Sequence, residues 1–175
     1  MTTTTVRVGA RSMSTDDAFD FVRSYVGSPE EHWSYPGYDG YPGAASHLIG
    51  PQDLLAPQLL NAGLNLRSYY GFLAVLDEVN ERLAAVPIDV PLDEAGAGDR
   101  RAVVDLCGIL DDVSIPGVKL TKLSKVLHRK RPMLVPLYDE RIRRCYQDGD
   151  GAPVPPRTGR GVSSPHCGSM PSEPT

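Results

Sequence analysis

The sequence predicts an all-α fold, with a single helical domain over residues 14–147. Several segments repeat apolar residues at the three- and four-residue spacing of a helix face, and Gly or Pro separates one segment from the next. The chain has 175 residues, which suits one domain with a hydrophobic core of its own. Apolar periodicity is absent from both ends of the chain, so the domain is predicted to stop short of each terminus.

The first helix is predicted to begin after Ser14, which is a good N-cap residue. Phe19, Val22 and Val26 follow at helical spacing, and the helix is predicted to end at Gly27. Residues 1–13 are rich in threonine and lack periodicity, so they are predicted to form a disordered arm.

Residues 28–50 combine aromatic residues with Gly and Pro, a composition typical of a structured loop and not of a helix. Aromatic side chains in such a loop either pin it onto the domain or stack on nucleic-acid bases. A second helix is predicted to begin at Gly50-Pro51, with Leu54, Leu55 and Leu59 directed inward.

A third helix is predicted over residues 68–85, with Phe72, Val79 and Leu83 among its core positions. A fourth is predicted from about Asp99, where Val103, Leu106 and Leu110 repeat at helical spacing. None of the charged residues in these helices has the spacing of a metal site or an acid–base pair.

Residues 148–175 are predicted to be a disordered Gly/Pro-rich tail, because they include 11 Gly or Pro residues and no periodic apolar face. A truncated or frame-shifted end of a longer domain is an alternative explanation for this composition. Cys107, Cys145 and Cys167 form no CxxC pair, which favours reduced thiols and a cytoplasmic location.

Charge is distributed unevenly along the chain, although its net charge is −4. Residues 1–112 hold 7 Lys or Arg against 17 Asp or Glu, whereas residues 113–147 hold 9 against 2. Because local charge decides where a polyanion binds, the second segment is the candidate binding region.

The basic segment, residues 115–142, reads IPGVKLTKLSKVLHRKRPMLVPLYDERI. A turn is predicted at Pro116-Gly117, followed by a helix to about Lys130 with leucines on one face and Lys122, Lys125 and Arg129 on the other. Seven residues form the predicted cationic set for nucleic-acid binding: Lys119, Lys122, Lys125, His128, Arg129, Lys130 and Arg131.

The basic segment resembles the hairpin and catalytic-aspartate region of helix-hairpin-helix DNA glycosylases. The resemblance implies that the turn at Pro116-Gly117 holds a DNA phosphate, that Lys122 is a nucleophile and that Asp139 stabilises a sugar cation. Lys119 stands where that family has a second glycine. From the residues alone, an N-cap role for Asp139 is the alternative.

A second resemblance covers more of the chain. IGPQDLLAPQLLN and KVLHRKRPMLVPLYD look like an uncharacterised actinobacterial family of domains of unknown function. Its members are similar to the glycosylase fold, and the match is predicted to end near residue 146.

Two functions are therefore expected as alternatives. The first is a glycosylase-like protein that binds DNA or RNA, with or without base-excision chemistry. The second is a non-enzymatic interaction module whose basic face binds an acidic protein partner, or the acidic half of its own chain. No cofactor, metal site or membrane span is expected, because the phosphate-loop, dinucleotide, zinc-protease and apolar-span motifs are absent.

Overall fold

The computed structural model describes residues 4–26, 34–148 and 152–154. In these ranges the chain forms two strands, eight α-helices and one 3₁₀ helix. They are β1 (Thr5–Val8), β2 (Arg11–Ser14), α1 (Thr15–Val26), α2 (Ser34–Asp39), the 3₁₀ helix (Pro51–Leu60), α3 (Leu66–Leu73), α4 (Leu76–Ala84), α5 (Ala97–Cys107), α6 (Ile109–Asp112), α7 (Leu120–His128) and α8 (Glu140–Gln147).

The all-α prediction is wrong, because β1 and β2 pair as an antiparallel hairpin and make the fold mixed, although largely helical. Val6 lies opposite Met13, so the hairpin occupies the part of the chain that was predicted to be a disordered arm. Thr5, Val6 and Val8 are β-branched, and such side chains favour extended backbone. Strands of four residues are too short for periodicity to separate from a loop.

The hairpin turn contacts the end of α8. Gly9 has a φ of 62°, and a Cβ atom on it would lie 2.0 Å from the carbonyl oxygen of Cys145. The neighbouring Ala10 amide donates a hydrogen bond of 3.2 Å to that same oxygen. Glycine is therefore required at this contact by both its backbone conformation and the available space.

Helix α1 begins where the sequence predicts. The Asp17 amide donates to Ser14 Oγ at 3.0 Å, and Ser14 Oγ in turn donates to the Asp17 carboxylate at 2.7 Å. Ser14 is thus the residue that caps the helix.

The core lies among α3, α4, α5, α6 and α7. Phe72, Val79 and Leu83 are buried, as the sequence predicts. The predicted third helix is divided, however, into α3 and α4 on either side of Ala74 and Val75. The remaining large core residues include Leu106, Ile109, Leu123, Val126, Leu127 and Leu134.

The segment after Gly50 is a 3₁₀ helix with Pro57 inside it. Proline lacks the amide that an α-helix would need there. Side chains three residues apart share a face of a 3₁₀ helix, which explains why Leu54 and Pro57 are both buried. Leu55 and Leu59 are instead 47% and 37% exposed, so the prediction that they point inward is wrong.

Residues 34–39 form α2, within the segment that was predicted to be a loop without helix. Pro36 falls in its first turn, where a missing amide costs no hydrogen bond. Residues 27–33 and nearly all of the predicted tail, 148–175, lie outside the described residues. No helix in the described part of the chain is long and apolar enough to cross a membrane.

We expect Gly9→Ala to weaken the contact between the hairpin and α8, because the new Cβ would collide with the Cys145 carbonyl. Hydrogen exchange of the amides in β1, β2 and α1 should become faster. Gly98→Ala is the matched control, since a Cβ there meets no atom within 4 Å. It should leave exchange in the hairpin unchanged; equal exchange in both variants would contradict the contact.

Candidate nucleic-acid interface

Most of the predicted cationic set is directed into the protein. Helix α7 buries five consecutive residues, from Leu123 to Leu127, so it is covered on more than its leucine face. Lys125, Lys130 and Arg131 are buried, with 7%, 4% and 2% of their surface exposed. Long charged side chains at this depth need polar partners inside the fold.

Lys125 finds its partner on the 3₁₀ helix. Its ammonium donates to the Leu60 carbonyl oxygen at 3.0 Å. Burial lowers the pKa of Lys125, and the nearby charge of Asp139 partly opposes that shift. The prediction that Lys125 lies on an exposed cationic face is therefore wrong, because the 3₁₀ helix covers this side of α7.

Asp53 is the acidic centre of the buried cations, and its side chain is fully buried. One carboxylate oxygen accepts hydrogen bonds from the amides of Ala44 and Gly50, at 3.1 and 2.8 Å. The other lies 2.8 Å from the ammonium of Lys130 and 3.8 Å from Nε of Arg129. Part of the basic segment is thus neutralised by the acidic half of its own chain.

Arg129, at the end of α7, contacts Tyr38 and Tyr41. Its guanidinium donates to the carbonyl oxygens of Tyr38 and Tyr41 and lies 5.5 and 5.7 Å from the centroids of their rings. The Tyr38 hydroxyl donates to the carbonyl oxygen of Lys125, and burial raises the pKa of Tyr38 above its ordinary value. Of the two roles considered for these aromatic residues, Tyr38 and Tyr41 take the structural one here.

Arg131 donates to four backbone carbonyl oxygens. Its acceptors are Val86 at 2.7 Å, Lys130 at 2.8 Å, Ser46 at 2.9 Å and Leu83 at 3.0 Å. Burial lowers the pKa of Arg131 relative to its ordinary value. This one side chain joins the end of α4, the loop before the 3₁₀ helix and the end of α7.

His128 also has internal partners. Its Nδ1 atom lies 2.7 Å from the Val135 carbonyl oxygen, and Nε2 lies 3.3 Å from the Tyr35 hydroxyl. Its ring stacks on that of Tyr38 at a centroid distance of 6.4 Å.

Two members of the predicted cationic set remain directed outward. Lys119 is exposed and Lys122 is half-buried. Within the described residues, neither side chain forms a hydrogen bond or ion pair. Lys119 is the N-cap residue of α7 and Lys122 lies in its first turn, which has no acidic residue and no side-chain cap at Lys119.

The turn before α7 packs against α3. Gly117 is exposed and has a φ of 70°, and a Cβ atom there would lie 2.5 Å from Ser68 Oγ. A Cβ on Gly71, one helical turn further along α3, would touch Pro116 at 3.0 Å. Arg67 is exposed and is the residue before Ser68, the α3 residue that packs against the turn. We call Arg67, Gly117, Lys119 and Lys122 the turn surface.

The predicted catalytic pair, Asp139 and Lys122, is not joined by a hydrogen bond or ion pair in the described structure. Asp139 is the N-cap of α8, and its carboxylate accepts from the Ile142 amide at 2.9 Å. The structure thus shows the capping alternative directly. Tyr138, the residue before Asp139, is held by Ser124, whose Oγ accepts a hydrogen bond from the Tyr138 amide at 3.1 Å.

The arginines of α8 are partly engaged with their own helix. Glu140 accepts from Arg143 at 2.7 Å and from Arg144 at 3.1 Å. Hydrogen bonds from Arg143 first, and from Arg144 second, lower the pKa of Glu140 to about 2. Arg141 is exposed on the same helix.

Sequence reasoning missed two residues that matter here, Asp53 and Arg67. Asp53 could have been found, since it stands three residues after Gly50 at the start of a helix, where a carboxylate reaches back to the cap amide. Arg67 had no such signal, because its position beside the turn depends on the packing of α3.

No group of three or more His, Cys, Asp or Glu side chains within the described residues could hold a metal ion. A small cavity of about 240 Å³ is lined by Tyr41, Leu55, Gln58, Leu59 and Leu64. Its lining contains no charged residue.

The chain belongs to a family of unknown function (DUF6308), whose model matches residues 18–162. Membership of an uncharacterised family is thereby confirmed. The match extends to residue 162, so the prediction that it ends near residue 146 is wrong. The likeness to DNA glycosylases and the actinobacterial assignment stay predictions. Neither the curated proteins nor the solved structures include a match to this chain.

We expect Arg131→Met to lower the free energy of unfolding by about 3–5 kcal/mol, because it leaves buried carbonyl oxygens without their donor. Thermal or urea unfolding measures this loss. Arg100→Met is the control, since Arg100 is exposed on α5 and should change stability by less than about 0.5 kcal/mol. Equal, small losses in both variants would show that Arg131 is not a structural centre.

Asp139→Ala should cost about 1 kcal/mol through loss of the α8 cap, whereas Asp139→Asn should cost little, because asparagine caps helices nearly as well. Urea unfolding of the two variants measures the difference. A loss for Asn as large as the loss for Ala would mean that the negative charge, and not the cap, supports the fold.

Proposed function

We propose that the chain binds DNA or RNA through the turn surface. The observation that carries this proposal is the first turn of α7, which has no side-chain cap and carries the outward lysines Lys119, at the N-cap, and Lys122. The helix N-terminus presents backbone amides and positive potential, and such ends bind phosphate and other anions in proteins.

The geometry of the turn supports a close approach by a backbone phosphate. Gly117 lies exposed before the helix in a left-handed conformation, and it places no side chain of its own between the turn and solvent. Arg67 adds a cation from α3 beside the same turn. The resemblance to helix-hairpin-helix glycosylases implies the same contact at Pro116-Gly117.

This interface is smaller than the predicted cationic set. Lys125, Arg129, Lys130 and Arg131 bind internal oxygens, and His128 also has internal partners. Lys119 and Lys122 remain from that set, and Arg67 brings the turn surface to three cations. Contacts to three phosphates give a slope of log affinity against log salt of about −2 to −3 for duplex DNA. Binding of this kind depends on charge and not on base sequence.

Lys122→Ala should weaken binding to all sequences alike and flatten the salt slope by about one unit, because one phosphate contact is lost. Fluorescence anisotropy with labelled single- and double-stranded DNA and RNA, over a range of salt concentrations, measures both changes. Lys119→Ala should have a similar effect.

Arg100→Ala is the matched control, since it removes an exposed cation of α5 and leaves the turn surface intact. Its affinity and salt slope should equal those of the wild type. Absence of wild-type binding at about 50 mM salt, or equal effects of the Arg100 and Lys122 variants, would refute the turn surface as an interface.

Base excision is a narrower proposal that rests on Asp139, with Lys122 as the amine. A carboxylate there could stabilise a developing sugar cation, although in the structure it caps α8. Asp139→Asn preserves the cap, so it should abolish release of damaged bases while leaving binding intact. The assay uses labelled duplexes with uracil, 8-oxoguanine or alkylated bases; no release by the wild type would refute the chemistry and leave the binding proposal standing.

A further inference from the structure

Helix α3 presents two large apolar side chains to solvent. Leu66 and Tyr70 are 75% and 64% exposed, and they stand four residues apart, so they lie on the same side of the helix. The ring of Tyr70 meets that of Tyr69 nearly at a right angle, with the centroids 5.5 Å apart. Tyr69 packs against the core, so it supports the Tyr70 ring from the protein side. We call Leu66 and Tyr70 the tyrosine face.

The tyrosine face adjoins the turn surface around the circumference of α3. At 100° per residue, the order of side chains around the helix is Leu66, Tyr70, Arg67, Gly71 and Ser68. The last two are the residues that pack against Pro116-Gly117. Arg67 therefore lies between the turn contact and Tyr70, about 60° from the tyrosine. An exposed cation and an exposed aromatic ring are thus neighbours on one surface.

We propose that Tyr70 stacks on an unpaired base of a nucleic-acid strand whose phosphates lie at the turn surface. This inference rests on the proposed function and names its substrate class, which is a single-stranded or locally unpaired nucleic acid. Cations that follow the strand backbone, combined with aromatic rings on which bases stack, are the usual means of binding single strands. Bases inside a duplex are already stacked on their neighbours, so they cannot offer a face to Tyr70 unless they leave the stack.

The size of the tyrosine face favours a base over a protein partner. A stable protein interface usually takes about 20–30 residues from each side. Here two apolar residues are followed at once by the cation Arg67, and the opposite side of α3, with Ser68 and Phe72, is buried in the fold. One ring with an adjoining cation suits one nucleotide.

Fluorescence anisotropy with labelled single strands and blunt-ended duplexes tests the inference. Tyr70→Ala should weaken binding to single-stranded DNA and RNA by about 5- to 150-fold, the usual effect of losing one stacked base. Affinity for the duplex should not change. The slope of log affinity against log salt should also stay the same, because no cation is removed.

Two further substitutions separate stacking from apolar contact. Tyr70→Phe keeps the ring and should bind single strands like the wild type, whereas Tyr70→Leu keeps only an apolar side chain and should lose as much affinity as Tyr70→Ala. Tyr146→Ala is the matched control, since Tyr146 is an aromatic residue 40% exposed on α8, and it should have no effect. Circular dichroism and thermal unfolding check that each variant is folded.

A strand of equal length and charge that lacks its bases tests the contact from the side of the ligand. The wild type should bind this abasic strand as weakly as Tyr70→Ala binds the normal strand, and Tyr70→Ala should cause no further loss. Single-strand binding that depends on Lys122 but not on Tyr70 would overturn the stacking inference and leave the proposed function standing. Equal losses on duplexes, or full affinity in Tyr70→Leu, would overturn it as well. Absence of any nucleic-acid binding by the wild type would overturn both.

Discussion

The buried carboxylate of Asp53 is the constraint around which the middle of the fold is arranged. An isolated carboxylate in a protein interior is very costly, so it persists only where cations and donors surround it. Lys130 and Arg129 supply the cations, and the Ala44 and Gly50 amides supply hydrogen bonds. Because Ala44 and Gly50 belong to the connection between α2 and the 3₁₀ helix, the carboxylate fixes the path of that connection.

The buried carboxylate of Asp53 also explains why a glycine is needed at position 43. A Cβ atom there would lie 2.2 Å from the Asp53 carboxylate. Arg129 and Lys130 together carry more positive charge than Asp53 neutralises. Backbone carbonyl oxygens, which are partly negative, accept their remaining hydrogen bonds in place of further acidic side chains. Lys130 donates to the Ala44 carbonyl oxygen at 2.9 Å, and Arg129 donates to two tyrosine carbonyls.

Local signals in the sequence were sufficient for several elements. Ser14 as a cap, Asp139 as a cap and the apolar faces of α3, α4 and α7 depend on residues within a few positions of each other. The hairpin β1–β2 was not predicted, because each strand has only four residues and a threonine-rich composition also suits a loop. Helix α2 was not predicted, because Pro36 and Gly37, which usually interrupt helices, lie inside its six residues.

The candidate site was harder to predict, because the direction of a cation depends on what packs over it. Helical spacing places Lys125 opposite the leucines of α7 and cannot show that the 3₁₀ helix lies there. The contacts of Arg129 with Tyr38 and of Arg131 with Ser46 span 91 and 85 residues of chain. A cluster of Lys and Arg is usually a solvated face, and only tertiary structure identifies the exception.

The inward cations change the meaning of the uneven charge along the chain. Residues 113–147 hold 9 of the 18 Lys and Arg, yet Lys125, Arg129, Lys130 and Arg131 are occupied by internal oxygens. Exposed acidic residues such as Asp77, Glu81 and Asp111 belong to the surrounding helices. In the proposed interface, the few cations Arg67, Lys119 and Lys122 would restrict the orientation of a bound polyanion more than they would raise its affinity.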